Sequence, residues 1–299
     1  MLSKLFKNFQ KKEKLPLDYF YTTDLHSHLI PNIDDGVKTL EESVEIIKNL
    51  KNLGYKKLIT TPHIMSHRFP NNKETILSGF EKVKNELIKQ NIDIELHVAA
   101  EYYYDEHFIE LIRKKDLLTF GDNHILFELS YTSNPFGLEQ IVYELLSAGY
   151  KPILAHPERY SFYSNTFEKY DTLKDLGLLF QINLNSLNDF YGKKPKLACE
   201  YLVEKGLVDF LGSDIHSMRY FDSLKNLQEI IILGHSINKI DWPYFKKISR
   251  NAPNARWTYC LRDDERMDEE IQYIYRLNQC GVLRDKIRFT RYAYLNLQA

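Results

Sequence analysis

No stretch of this chain approaches the ~20 consecutive apolar residues that a membrane-spanning helix requires, so an integral membrane protein is not expected. The N-terminus has neither the long apolar core nor the small-residue cleavage site of a signal peptide, and a cytoplasmic setting is the expectation. An excess of charge of one sign is also missing. Forty Lys and Arg stand against 41 Asp and Glu, which gives no global basic field for nucleic acid. Cysteine is scarce: Cys199, Cys260 and Cys280 are too few and too scattered for a disulfide framework or a CxxC zinc site. No thiol phosphatase is expected from them. What is present is 43% hydrophobic residues over 299 positions, which excludes disorder as the main state and bounds the chain at one large or two small domains.

Residues 1–20 carry Leu2, Leu5, Phe6 and Phe9 between Lys4, Lys7, Lys11, Lys12 and Lys14. This basic amphipathic pattern is able to touch an anionic membrane surface weakly, although a frayed leader or one packed outside the fold is the plainer expectation. From Asp24 onward, short runs rich in β-formers alternate with helical stretches, the pattern that builds parallel sheets. The runs are Thr23–Leu29, Lys57–Thr61, Ile94–Ala100, His124–Leu129, Pro152–Ala155, Leu179–Leu184 and Val208–Gly212. Helices are predicted over Leu40–Leu53, where Val44, Ile47 and Leu50 share a face, and over Ile76–Gln90, where Phe80, Val83 and Leu87 do the same.

The chemistry-bearing residues gather where the strands end. His26 and His28 lie in the first run, His63 follows the second and Glu101 the third. Glu128 closes the fourth, His156 follows the fifth, and Asp214 and His216 follow the seventh. In a β/α barrel the C-terminal strand ends converge on one mouth, so these scattered positions are expected to meet. The two-residue period of a strand points both imidazoles of His26-Ser27-His28 to one face, as a metal pair requires. Mixed His and carboxylate sets suit Mn²⁺, Fe²⁺ or Zn²⁺, and a multinuclear centre of two or three divalent ions is the expectation. Such a centre polarises a phosphoryl group and generates hydroxide near neutral pH, which points to metal-assisted hydrolysis. Arg159, on a loop at the same mouth, offers a planar fork for two phosphate oxygens. The acidic turn Asp34-Asp35-Gly36 is placed to add a ligand or to act as general acid to a leaving group.

These motifs carry a family resemblance. Asp24-Leu25-His26-Ser27-His28, Thr61-Pro62-His63, Ala100-Glu101-Tyr102-Tyr103, Phe127-Glu128-Leu129-Ser130, Ala155-His156-Pro157-Glu158-Arg159-Tyr160 and Gly212-Ser213-Asp214-Ile215-His216 resemble the PHP-domain superfamily. Within it they are most similar to the bacterial protein-tyrosine phosphatases of capsule and exopolysaccharide operons, over roughly residues 20–225. The resemblance implies a distorted seven-stranded β/α barrel, and the chain departs from the family pattern with an atypical C-terminal α/β extension. It also implies a trinuclear, commonly manganese-dependent site that hydrolyses phosphotyrosine on the tail of a bacterial tyrosine kinase. Carried over by motif, His26, His28, Asp35, His63, Glu101, Glu128, His156, Asp214 and His216 are the expected ligands and Arg159 the expected phosphate grip. Arg219 is the nearest candidate for a second arginine, and Tyr102, with Tyr103 and Tyr160, is available to flank a substrate ring.

Three parts follow: a leader over 1–20, a metal-dependent barrel over 21–226, and a segment over 227–299. In that last segment a strand over Leu227–Ile232 enters Gly234-His235-Ser236, followed by Ile240-Asp241-Trp242-Pro243-Tyr244-Phe245. It resembles the C-terminal part of AbiH-type phage abortive-infection proteins. With one clear strand and two or three helices it is expected to bury too little surface to stand alone. Two other functions compete with the tyrosine phosphatase: a small-molecule phosphoesterase of histidinol-phosphate type with a deeper pocket, and a recombined defence or interaction protein on a degenerate barrel. The intact ligand set favours an enzyme. Oligomeric state is not readable from the chain.

Overall fold

Pro62 lacks the amide hydrogen a sheet ladder needs, and this is where the second apolar run breaks without ending. It splits into β2 (Lys57–Thr60) and β3 (His63–Ile64), as the third splits into β4 (Glu95–Val98) and β5 (Glu101–Tyr103). The computed structural model describes residues 23–164, 166–225, 229–233, 242, 245–246, 249, 256–261 and 269–291. The leader over 1–20 and the motif residues 234–241, 243 and 244 lie outside the described residues.

The remaining strands of the first unit are β1 (Thr23–Asp24), β6 (His124–Glu128), β7 (Lys151–Ala155), β8 (Leu179–Asn183) and β9 (Phe210–Gly212), and every pairing among the nine is parallel. One sheet runs β1-β2-β4 and another β3-β5-β6-β7-β8-β9. Backbone bonds carry the ladder across both breaks, from the Ala99 amide to the Thr60 carbonyl at 2.9 Å and from the Glu101 amide to the Pro62 carbonyl at 3.1 Å. The ring closes where Ser27 bridges Ile215, with the Asp214 amide donating to the His26 carbonyl at 2.8 Å and the His28 amide to the Ile215 carbonyl at 2.9 Å. Seven strand positions thus make a closed, distorted parallel barrel.

Alternation along each strand sorts the side chains into layers. On β6, Ile125 and Phe127 face outward into the main apolar cluster, where they meet Tyr102, Phe108, Leu154, Phe180 and Leu202. Leu126 instead joins Ile153 and Ala155 in a separate cluster, and Leu25, Ile59 and Ala99 form another, both packed on Phe120 and Phe210. These clusters plug the barrel beneath its mouth. Outside lie α1 (Leu40–Leu53), α2 (Lys73–Lys89), α3 (Glu106–Lys114), α4 (Leu138–Ser147), α5 (Lys169–Asp175), α6 (Lys193–Glu204) and α7 (Met218–Lys225). The Thr39 hydroxyl accepts the Glu42 amide to start α1, and Gly54, at φ 105°, ends it by donating to the Leu50 and Lys51 carbonyls. Helix α2 begins three residues before the predicted Ile76, because an Asn72/Thr75 capping box starts a polar first turn that apolar spacing does not reveal.

The chain divides into units 1–221 and 222–299. The second unit holds β10 (Glu229–Leu233), β11 (Arg256–Leu261) and β12 (Ile287–Arg291), a parallel sheet in the order β10-β11-β12, with α8 (Glu269–Gln279). Three strands appear where one was read, since Arg256–Leu261 and Ile287–Arg291 mix charged and apolar residues and lack a strong alternating pattern. The unit has its own core of Phe245, Trp257, Tyr259, Tyr273, Leu277, Cys280 and Val282. Among the described residues no helix is long and apolar enough to cross a membrane.

Candidate metal centre

Two strand-end residues adopt backbone conformations that a non-glycine residue seldom takes. His156 has φ 33° and Asp214 has φ 51°, and both turn their side chains into the mouth just past β7 and β9. Glycine makes room beside the histidine pair. A Cβ on Gly36 would lie 2.5 Å from both the Cβ and the carbonyl of His28, and one on Gly212 would lie 2.7 Å from the Cβ of His26.

The structure brings the nine expected donors together. His26 Nε2 lies 3.1 Å from Glu101 Oε2 and 3.3 Å from Asp214 Oδ1, and His28 Nε2 lies 3.4 Å and 3.5 Å from the same two oxygens. His63 Nδ1 lies 3.2 Å from Glu101 Oε2 and 3.3 Å from Glu128 Oε1. Asp35 Oδ1 is 3.4 Å from Nε2 of both His63 and His216, and His156 Nε2 is 3.0 Å from Glu101 Oε1. They fall into four overlapping sets, each with ligand atoms within 4.8 Å: His28/Asp35/His63/His216, His26/His28/Asp214, His26/Glu101/His156 and His63/Glu101/Glu128.

Charge and hydrogen bonding both call for cations here. Four carboxylates converge with two arginines beside them, Arg159 at 2.9 Å from Asp214 Oδ2 and the largely exposed Arg68 at 3.8 Å from Asp35 Oδ2. Burial, reinforced by Glu101, pushes the Glu128 carboxyl up to about 8, the response of a carboxylate short of positive charge. Burial also holds the His156 imidazole down at about 4, in the neutral form a metal requires. Buried atoms without a hydrogen-bond partner include Asp35 Oδ1, His63 Nδ1 and Glu128 Oε2, three of the converging donors. The residues fit a group of divalent ions with N and O ligands.

Behind the donors sits a layer that the motif reading did not select. His28 Nδ1 is 2.8 Å from Asp34 Oδ2, so the two acids of the turn divide their tasks: Asp34 orients a histidine and Asp35 faces the mouth. Burial would raise the Asp35 carboxyl, but the imidazoles of His216 and His63, each 3.4 Å from Oδ1, outweigh it and hold it well below the carboxylate range. An acid held ionised suits a ligand; the general-acid role expected of the acidic turn does not suit Asp35. Gln181 Oε1 is 2.7 Å from His26 Nδ1, Gln181 Nε2 donates to Asn183 Oδ1 at 2.9 Å, and Asn183 Nδ2 donates to Asp214 Oδ2 at 2.6 Å. This amide relay leaves the Nε2 of His26 facing the centre. Polar residues at 181 and 183, two apart within an apolar strand, were the available signal.

Above the centre opens a cavity of about 380 Å³ lined by seven of the nine donors, all but the fully buried His26 and His28, together with Met65, Arg68, Phe69, Tyr103, Tyr131 and Arg159. Arg159 lies there as expected, its NH1 donating to Asp214 Oδ2 at 2.9 Å. Three expectations are corrected. Tyr102 and Tyr160 are buried in the outer core, Tyr102 accepting the Leu118 amide and Tyr160 donating to the Ala155 carbonyl, so neither reaches a substrate. Tyr103, one residue on along β5, faces the mouth instead. Arg219 is exposed over the Phe190 ring at 5.4 Å and does not line the cavity. The cysteine expectation also needs a qualification, since Arg266 stands six residues after Cys260, the spacing of a thiol-phosphatase loop. Asp263, Asp264 and Glu265 fall between them, where carboxylates repel a phosphate, and residues 262–268 lie outside the described residues.

Comparison with known proteins agrees with this geometry. Residues 22–253 match the family model described as capsular polysaccharide synthesis, CpsB/CapC, a match that runs past the expected limit near 225. The tyrosine-protein phosphatase CpsB of Streptococcus agalactiae is 29% identical over 202 residues, 65% of this chain and 83% of that protein. The tyrosine-protein phosphatase YwqE of Bacillus subtilis is 29% identical over 197 residues, 66% of this chain and 78% of that protein. A chain from the crystal structures of YwqE from Bacillus subtilis and CpsB from Streptococcus pneumoniae, described as unique metal-dependent tyrosine phosphatases, superposes with a TM-score of 0.62. It is 25% identical, and the alignment covers 77% of this chain and 95% of that one. The barrel, its converging donors and these matches agree: the chain belongs to the CpsB/CapC family of capsular polysaccharide synthesis.

Proposed function

We propose that this protein is a metal-dependent tyrosine phosphatase of capsule or exopolysaccharide synthesis. The observation that supports it most is the convergence of five imidazoles and four carboxylates under an open mouth that Arg159 lines. Bound divalent ions, Mn²⁺ in this proposal, supply Lewis-acid polarisation of a phosphoryl oxygen and lower the pKa of water. His26, His28, Asp35, His63, Glu101, Glu128, His156, Asp214 and His216 are the residues that would hold them. Asp214 works on two sides: Oδ1 faces the histidines while Oδ2 anchors Arg159, so ion site and phosphate grip keep a fixed spacing. The remaining N–H groups of Arg159 stabilise charge on the phosphoryl oxygens as the bond to phosphorus breaks. Among the described residues lining the mouth none is a cysteine, which fits direct attack by water without a thiol-phosphate intermediate.

The substrate within this proposal is the phosphotyrosine tail of a bacterial tyrosine kinase. The reaction is placed in the cytoplasm, with the lysines of residues 4–14 offering contact to an anionic membrane surface. The AbiH resemblance of 227–299 rests on its sequence motif alone, and no activity is assigned to that segment. The test is phosphate release from a tyrosine-phosphorylated peptide by the full chain with Mn²⁺, with and without chelator, against a histidinol-phosphate control. Chelator-sensitive release from the peptide is the expected result; release from histidinol phosphate alone would overturn the assignment.

A further inference from the structure

Arginine has a long, rotamer-rich side chain, and a single ion pair does not hold its planar fork in one orientation. Arg159 has more than an ion pair. Its guanidinium carbon lies 4.6 Å from the centroid of the Tyr131 ring and 4.2 Å from that of Tyr191, each within cation–π range. The barrel order explains the arrangement. Arg159 follows β7, Tyr131 follows β6, and Tyr191 lies in the loop after β8, so the rings arrive from the two strands that flank the arginine's own. Tyr131 is held through its backbone, and the hydroxyl contact of Tyr191 to the site is long and weak. The Tyr131 carbonyl accepts the Ser161 amide and hydroxyl, both at 2.9 Å, and the Tyr191 hydroxyl lies 3.4 Å from Asp214 Oδ2.

We propose that Tyr131 and Tyr191 are positioning residues, which clamp the Arg159 guanidinium so that one edge meets Asp214 and the free edge faces a phosphoryl group in the mouth. The clamp acts on phosphate affinity. It deepens the phosphatase reading and rests on it for the identity of the substrate, but the binding of phosphate as such does not depend on that identity. A ring face is what matters, so phenylalanine should replace either tyrosine and leucine should not.

The experiment compares Tyr131→Leu, Tyr131→Phe, Tyr191→Leu and Tyr191→Phe with the unaltered full chain, all loaded with Mn²⁺ and assayed for metal content. Phosphotyrosine-peptide kinetics are measured together with inhibition by inorganic phosphate. Each leucine variant is expected to raise KM and weaken phosphate inhibition about tenfold, with bound metal unchanged and kcat altered less. Each phenylalanine variant is expected to stay within about threefold, because the π face that attracts the cation is retained. Leucine variants with unaltered KM and phosphate inhibition, or phenylalanine variants as impaired as leucine ones, would overturn the clamp. So would lost metal, which marks a merely structural role. If the unaltered protein hydrolyses no phosphotyrosine, the phosphatase reading fails, and calorimetric titration of the same five proteins with inorganic phosphate decides the clamp by the same comparison.

Discussion

At the scale of the residue, the site separates holding metal from gripping phosphate, and single substitutions should separate them too. Arg159→Ala is expected to lower kcat/KM about 10²–10³-fold with bound metal unchanged, since it removes donors aimed at developing charge. Steady-state kinetics beside metal analysis checks this, and unaltered turnover would remove Arg159 from the reaction. Glu158 gives a test by pH. Burial pushes its carboxyl up to about 7, and although Oε1 accepts from the Asn183 amide and the Ser186 hydroxyl, Oε2 has no partner. The folded chain therefore favours neutral Glu158, so its contribution is best below the unfolded pKa near 4.5 and worsens as pH rises through about 7. Glu158→Gln should remove that trend: the difference in Tm between variant and unaltered protein should shift in the variant's favour from pH 5 to pH 8. A difference constant with pH would contradict the raised pKa. The donors were legible as residues because metal chemistry restricts the choice to His, Asp and Glu at strand ends. Tyr131 and Tyr191 were not, since nothing in a tyrosine's neighbours along the chain reveals which arginine it covers.

At the scale of the element, strand period decided what motif spacing left open. Glu101 faces the centre, so Tyr103 shares its side of β5 and Tyr102 takes the other; the two-residue period contained the correction that proximity to Glu101 obscured. The same period places Gln181 and Asn183 together on β8. Gln181→Leu should weaken Mn²⁺ binding about 10–100-fold by releasing the Nδ1 of His26, measured by calorimetry on the full chain. Equal affinity would show that His26 needs no such support. Helices and strands of the barrel were read nearly in place wherever apolar periodicity was strong. The ends moved where hydrogen bonds decide them, as with the capping box before α2 and the break at Pro62.

At the scale of the whole molecule, the donors belong to the barrel mouth, so occupancy and stability are linked. Ions that bind only the folded state at 100 times Kd stabilise it by about 2.7 kcal/mol. Chelation of the Mn²⁺-loaded protein should therefore lower the Tm of the barrel unit by about 5–10 °C, read by calorimetry with and without chelator. An unchanged Tm would mean that the converging carboxylates hold no ion in solution.

The chain alone determined the alternation of strand and helix, the class of chemistry and eight of the nine candidate donors. It could do so because each follows from local pattern: residue type, period and position relative to a strand end. Tertiary structure decided which of two adjacent acids meets the mouth, which tyrosine is core and which is clamp, and that Arg219 lies aside. It also revealed an additional pair of strands in 222–299. These depend on contacts between residues far apart in sequence, such as Gln181 with His26 or Tyr191 with Arg159, and on the hydrogen-bonded closure at Ser27 and Ile215. Such contacts form only when the ring of strands has closed, and no local propensity encodes them.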